Sequence, residues 1–238
     1  MSLVVFEVRS SIGHFRRPDT LGTHASYPFM TRTALRGLAA SVLGRESIPE
    51  SVRCGLRLLS PVRSVAQELS LLGKTWQAGS GKEESFNRPT SIELLVEPHY
   101  RIYYHGELAQ ELASRLRAGR SGFHTYLGSA FCLTFPRFRE WLPDPRRASP
   151  GESGGQSWET AAVAPSEAVS ELVLDEHREY ARVGGLLYRH IGGRRFRGSV
   201  SLLYERSGKS IRFLPNPAAD PERIVWVDLP EEGLVCLW

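Results

Sequence analysis

Two stretches decide how the chain must fold: Leu3-Val4-Val5-Phe6-Glu7-Val8-Arg9-Ser10, and Thr31-Arg32-Thr33-Ala34-Leu35-Arg36-Gly37-Leu38-Ala39-Ala40-Ser41-Val42-Leu43-Gly44. In the first, Val4, Phe6 and Val8 alternate with Val5, Glu7 and Arg9, the period of a strand buried on at least one side. In the second, Leu35, Leu38, Ala39 and Val42 form an apolar stripe at helical spacing. Thr31 or Thr33 can cap its start, and Gly44 is a natural stop. Between them, residues 11 to 28 read as a polar, glycine-containing loop, loop one, that ends at Tyr27-Pro28.

Working outward, Gly55 to Val65 alternates small and apolar residues with Arg57 and Arg63, as a second strand with a basic outer face would. A loop of about two dozen residues is expected next, because Gly73, Gly79 and Gly81 interrupt any regular pattern. Ile92 to Tyr104 reads as a strand, Glu107 to Ala118 as an amphipathic helix closed by Gly119 and Gly122, and Ala130 to Phe135 as a buried strand. The order strand, helix, strand, strand, helix, strand is the split βαβ, or ferredoxin-like (RRM-like), unit of an α+β protein. Its two helices should share one face of an antiparallel sheet, leaving the other face for a ligand or partner.

Residues 1–138 are assigned to that domain. Residues 139–166, with Pro143, Pro145, Pro150 and Gly154-Gly155, are expected to be a flexible linker. Residues 167–238 are expected to be a β-rich extension, with short strands at Ala168–Leu174, Gly185–Ile191, Ser199–Tyr204, Ile211–Leu214 and Ile224–Val227. Gly192-Gly193-Arg194-Arg195 reads as a turn with cations at its tip.

The 238 residues are 41% hydrophobic and 24% charged, which excludes general disorder. The longest apolar runs fall far short of the roughly 20 residues of a membrane span, and the first residues lack a basic leader, so a cytoplasmic protein is expected. Cys54, Cys132 and Cys236 lie far apart in apolar runs and read as buried small hydrophobes. The net charge is +4, and its distribution is uneven. From Arg178 to Arg212 the chain carries Arg178, Arg182, Arg189, Arg194, Arg195, Arg197, Arg206, Lys209 and Arg212 against Glu179 and Glu205 alone. This is either one face of a polyanion site or a solvated basic face.

Three stretches occur in the order of a known family: Gly13-His14-Phe15-Arg16-Arg17-Pro18-Asp19 running through Tyr27-Pro28 into Thr33-Ala34-Leu35-Arg36-Gly37-Leu38; Arg88-Pro89-Thr90 followed by Leu94 to Tyr103; and Phe123-His124-Thr125-Tyr126-Leu127-Gly128. They resemble the fifth CRISPR-associated family (Cas five) of the RAMP superfamily, whose members cap the 5′ end of the guide RNA in a type I, I-B-like, Cascade complex. The resemblance covers the amino-terminal half. It implies a RAMP subunit that holds the 5′ handle of crRNA, contacts the backbone subunit and the large subunit, meets target DNA only indirectly, and needs no cofactor or metal. It also implies that the loop at about 66–90, with Lys74, Trp76 and Arg88, is a thumb-like element beside the guide.

Single-stranded RNA offers phosphates to cations and splayed bases to flat groups. The expected phosphate ligands are Arg16, Arg17, Arg32 and Arg36 around the entry to the first helix, although Arg36 could equally be a solvated helix residue. His14, Phe15 and Tyr27 could stack on bases or pack in the core. Trp76, without apolar neighbours in period, is expected to meet a partner or nucleotide. Phe123, His124, Thr125 and Tyr126 complete the expected RNA site.

The alternative activity is metal-independent cleavage of precursor crRNA, which needs a base and an acid such as His14, Tyr27 and His124 converging on one phosphate. The cleaving members' Lys-His pair is not present in this sequence. A scaffold that meets only protein would leave the loop-one arginines without a role. Asp175-Glu176-His177 reads as a solvated strand end rather than a metal site, and no nucleotide-binding, zinc-protease or hydrolase motif occurs.

Overall fold

The computed structural model describes residues 1–20, 22–75, 84–152, 154–193 and 195–238. In chain order the elements are β1 (Leu3–Arg9), β2 (Ile12–Gly13), α1 (Arg32–Leu43), β3 (Arg53–Leu58), β4 (Ser64–Thr75), β5 (Glu84–Val96), β6 (His99–His105), α2 (Ala109–Arg117) and β7 (Arg137–Leu142). They continue with β8 (Arg146–Ala148), β9 (Trp158–Thr160), β10 (Ala164–Pro165), β11 (Val169–Val173), β12 (Tyr180–His190), β13 (Phe196–Glu205), β14 (Ile211–Pro215), β15 (Val225–Leu229) and β16 (Gly233–Leu237). The fold is α+β. Among the described residues, no helix is long and apolar enough to cross a membrane.

The central sheet has the order β3-β6-β1-β7, with each neighbouring pair antiparallel. Val4, Phe6 and Val8 share one buried cluster with Leu35, Leu38, Ala39 and Val42 of α1 and Leu112, Ala113 and Leu116 of α2. Each large side chain so buried contributes roughly 1.5–3 kcal/mol relative to exposure. Thr31 caps α1, its hydroxyl accepting from the Ala34 N–H at 3.3 Å, and Gly44 ends it in the left-handed conformation. The fourth strand of the sheet is β7, not Ala130–Phe135. That apolar run lies outside the sheet, with Cys132 and Thr134 turned inward and Phe131, Leu133 and Phe135 exposed.

The opposite face of the sheet is covered, not open as expected. Leu3, Val5 and Tyr103 pack against Val227, Leu229, Val235 and Leu237 of the β15–β16 pair. A charged network seals the border of this cover. Glu7, buried on β1, pairs with Arg101 of β6 and with Arg139 of β7 at 2.6 Å. Arg101 also meets Glu232 in the β15–β16 turn, and Glu232 accepts from Arg57 and from the Tyr103 hydroxyl, each at 2.8 Å. Burial alone would raise the Glu7 carboxyl, but the hydrogen bonds and charges of Arg139 and Arg101 outweigh it and hold the group at about 2 against an ordinary 4.5.

The segment 139–166, expected as a flexible linker, is threaded through this cover. It supplies β8, which pairs with β15, and β9, which pairs with β14, and it buries Ala162, Val163 and Ala164. The expected strands of the last third are all present, as β11 to β15. The long loop expected at about 66–90 is a β-hairpin instead: β4 and β5 pair from Ser64↔Leu95 to Thr75↔Glu84, and β2 joins β5 at Ile12↔Val96. Cys54, Cys132 and Cys236 are buried free thiols.

Two expectations about stability follow. Glu7→Gln should destabilise the chain by about 3 kcal/mol at neutral pH, because it removes the buried charge that Arg101 and Arg139 pair with. The carboxylate's contribution is complete above about 4.5 and is lost as the pH falls toward about 2, so the gap between wild type and variant in urea unfolding should close over that range; a gap independent of pH would refute the assignment. Gly128 has φ +89, and a Cβ there would overlap the His14 carbonyl oxygen. Gly128→Ala should therefore cost about 2–3 kcal/mol. Gly37→Ala, on open helix surface, should add about 0.5–1 kcal/mol, and the same unfolding measurement compares the two.

Candidate functional site

Loop one is folded back on itself and tied down along its length. Tyr27 N–H donates to the Phe15 carbonyl at 2.8 Å, Arg17 N–H to Ala25 at 2.9 Å, and His14 N–H to Leu127 at 3.0 Å. Its outer limb is stitched to β5 by His24 N–H on the Ser91 carbonyl and by Ser26 N–H on the Glu93 carboxylate. Phe15 enters the core beside Tyr100, whereas Arg16 and Arg17 stay exposed.

Loop one, the start of α1, the Gly128-Ser129 turn and Leu187 of β12 enclose a hollow of about 360 Å³. His14, Phe15, Arg16, Tyr27, Thr31 and Thr33 are among its lining residues. The His14 Nδ1 bonds the Glu93 carbonyl at 2.8 Å, which makes Nδ1 the donor and leaves Nε2 a buried acceptor without a protein partner. Tyr27 is also mostly buried, and its hydroxyl donates to the Gly185 carbonyl at 3.0 Å. No acidic side chain occupies the first turn of α1, so nothing there opposes an anion at its free N–H groups.

The two loop-one arginines differ. Arg17 makes a two-pronged pair with Asp19, at 2.8 and 3.2 Å, which raises its already high affinity for the proton. Arg16 makes one long bond, to the Thr20 carbonyl at 3.5 Å, and is the more available cation. Burial, followed by the charges of Arg16, His14 and Arg88, lowers the proton affinity of His24, which places a small basic corner where loop one crosses β5. His24 was not among the expected site residues, since nothing but its place in a polar loop marked it.

Arg32 and Arg36 are taken up elsewhere. Arg32 is buried, donates to the Tyr188 carbonyl at 2.9 Å and the Trp238 carbonyl at 3.3 Å, and stacks on the Tyr188 ring at 4.3 Å. Arg36 donates to the carbonyls of Ile48, Pro49 and Val52 and to Glu50, closing the turn before β3. Both serve as internal fastenings, and neither lines the loop-one hollow. Arg88 is exposed on β5 opposite Leu71. Lys74 lies in β4, and Trp76 falls in 76–83, outside the described residues.

Phe123, His124, Thr125 and Tyr126 line a second, larger hollow of about 1030 Å³, with Arg45, Arg120, Phe135 and Arg137. The Thr125 hydroxyl donates to the Thr134 carbonyl at 2.6 Å and is structural, while Phe123 and Tyr126 are 56% and 43% exposed. His14 and Tyr27 therefore line one hollow and His124 the other, so the three groups do not converge on one point. Residues 123–129 run between the two hollows, and Gly122 holds them against α1 through its N–H on the Val42 carbonyl. Phe131, Leu133 and Phe135 were missed as surface residues because an apolar hexapeptide reads as a buried strand whichever way its side chains point.

In the Asp175-Glu176-His177 stretch, Asp175 accepts from the His177 N–H and pairs with Arg178. Among the described residues, no three His, Cys, Asp or Glu side chains gather as a metal site.

Among solved structures the chain is similar to "Crystal structure of a CRISPR protein from Archaeoglobus fulgidus", with a TM-score of 0.54 and 10% identity over 99% of each chain. It is also similar to a chain of "CRISPR RNA-guided surveillance complex", with a TM-score of 0.52 and 12% identity over 90% of this chain and 91% of that one. At these identities the likeness is one of fold. No curated protein sequence matches. Residues 3–181 match the family described as CRISPR-associated protein (Cas_Cas5), a span that takes in β1, loop one, both helices, the larger hollow and all of the loop-one hollow but Leu187. The chain is thus a member of the CRISPR-associated Cas5 family.

Proposed function

We propose that this chain binds and caps the 5′ handle of crRNA as a structural subunit of a type I Cascade complex, and that it helps assemble that complex for antiviral defence. In this reading the β3-β6-β1-β7 sheet with α1 and α2 is a ferredoxin-like RAMP domain. The β4–β5 hairpin serves as its thumb, the residues after β7 are its extension, and the backbone and large subunits are its cytoplasmic partners. Target DNA is met only through them.

The observation that carries the proposal is the loop-one hollow. It combines an available cation at Arg16, the open N-terminus of α1, and room for an unpaired nucleotide. Phe123 and Tyr126 on the neighbouring hollow offer ring faces to splayed bases, with Arg120 and Arg137 beside them.

Labelled repeat RNA incubated with the purified chain in EDTA should shift without being cut. A specific cut lost in His124→Ala or Tyr27→Ala would instead identify a processing endoribonuclease. Arg16→Ala with Arg17→Ala should weaken the shift and make the log–log dependence of affinity on salt shallower by about 1.4, two phosphate contacts' worth, with the melting temperature kept. An unchanged salt slope would remove these arginines from the site.

A further inference from the structure

One acid-free basic stretch of the chain carries arginines that the loop-one site does not use. From Tyr180 to Tyr204 there are five arginines and no aspartate or glutamate. These residues form the β12–β13 hairpin. Its register sets Arg189 directly opposite Arg197. Like charges so placed weaken a hairpin, and a sequence that keeps them together gains only if an anion lies across them. Arg189 has Glu50 within 3.7 Å, and no carboxylate among the described residues pairs with Arg195 or Arg197.

Glycines flank these arginines along the hairpin. Gly185, Gly192 and Gly198 all hold positive φ, and an added Cβ at Gly185 or Gly192 would meet nothing within 4 Å. Glycine inside a strand commonly marks the close approach of a ligand or another backbone. The hairpin is also held in its outer half, where the Tyr188 ring lies within 4.3 Å of the Arg32 guanidinium and 4.5 Å of the Arg223 guanidinium. His190 and Phe196 pack together near the tip, with ring centroids 5.2 Å apart. A surface fixed in this way loses little freedom on binding.

The hairpin runs past the loop-one hollow. Leu187 lines that hollow beside Arg16, and the Tyr27 hydroxyl is bonded to Gly185. Residues two apart on a strand share a face, so the face that begins at Leu187 and Ser199 presents Arg189 and Arg197 about 7 Å further on. The hollow of about 360 Å³ admits an unpaired nucleotide and not a duplex, which makes the continuing polyanion a single strand.

We propose that this face of the β12–β13 hairpin is a second RNA contact, a backbone track along which a single strand seated at loop one continues toward Arg189, Arg195 and Arg197. The inference rests on the loop-one reading, and the test keeps the two apart. Fluorescence anisotropy of labelled oligouridylates of about 20 and about 2 nucleotides would be followed from 50 to 200 mM salt, with a DNA duplex of about 20 base pairs as a third probe. Arg195→Ala with Arg197→Ala should weaken binding of the long strand and make its salt slope shallower by about 1.4, so that its loss of affinity across this salt range shrinks about sevenfold. The short strand should be unaffected by that variant, whereas Arg16→Ala with Arg17→Ala should weaken both.

If the hairpin variant binds the long strand as the wild type does while the loop-one variant is impaired, the track is refuted and loop one stands. If only the hairpin variant is impaired, the loop-one reading fails and the track stands as an independent site. A loss confined to the duplex, or a wild type that holds neither RNA, overturns the track.

Discussion

A carboxylate beneath the surface stays ionised only when cations are brought to it, and Glu7 draws those cations from both neighbouring strands. Arg101 comes from β6 and Arg139 from β7, and Arg101 extends the alternation of charge to Glu232, which takes Arg57 from β3. All four strands of the central sheet and the turn of the covering pair are thereby joined through one run of ions. A one-residue slip of any of these strands would turn its charged group to the wrong face, so the network specifies register as well as contributing energy. It also settles where the β15–β16 cover must sit, which closes one face of the sheet and leaves the ends of its loops as the available surface.

The parts of this architecture that were legible in the sequence are those whose causes are local. The first helix announces itself through the Thr31 cap, the Gly44 stop and its apolar stripe. The strands of the last third do so through short alternating runs between turns. Other elements depend on distant partners. The β4–β5 hairpin is held by backbone pairing over a long register, and Gly73, Gly79 and Gly81 suggested a loop. The segment 139–166 looks like a linker by composition, yet Ala162 packs between cover and sheet, and Trp158, Val163 and Ala164 join the main core. For Ala130–Phe135 the alternation was present, but hydropathy does not say that the small and polar members, Cys132 and Thr134, are the ones that face inward.

The same division runs through the candidate site. Exposure of Arg16 and Arg17 follows from the loop itself. The fate of Arg32 and Arg36 does not: their helical spacing places them near the loop-one entry, but what awaits them is the Tyr188 ring, the Trp238 carbonyl and the carbonyls of residues 48–52. Two cations expected on phosphate are instead what fastens the carboxy-terminal strands and the turn before β3 to α1. Buried arginines of this kind hold the frame from which the exposed ones project.

The three thiols have a use that follows from where they lie. Cys54 sits in the central sheet, Cys132 in the loop that separates the two hollows, and Cys236 in the covering pair, and burial raises the thiol of each, to about 11 for Cys54 and Cys132. A buried protonated thiol is inert toward alkylating reagents until its surroundings open. Because openings of sheet, loop and cover need not coincide, the rate at which each cysteine becomes alkylated is a separate clock on its own region. The chain thus carries an intrinsic set of probes that can report, without any label being engineered, which of the three regions a bound partner quiets.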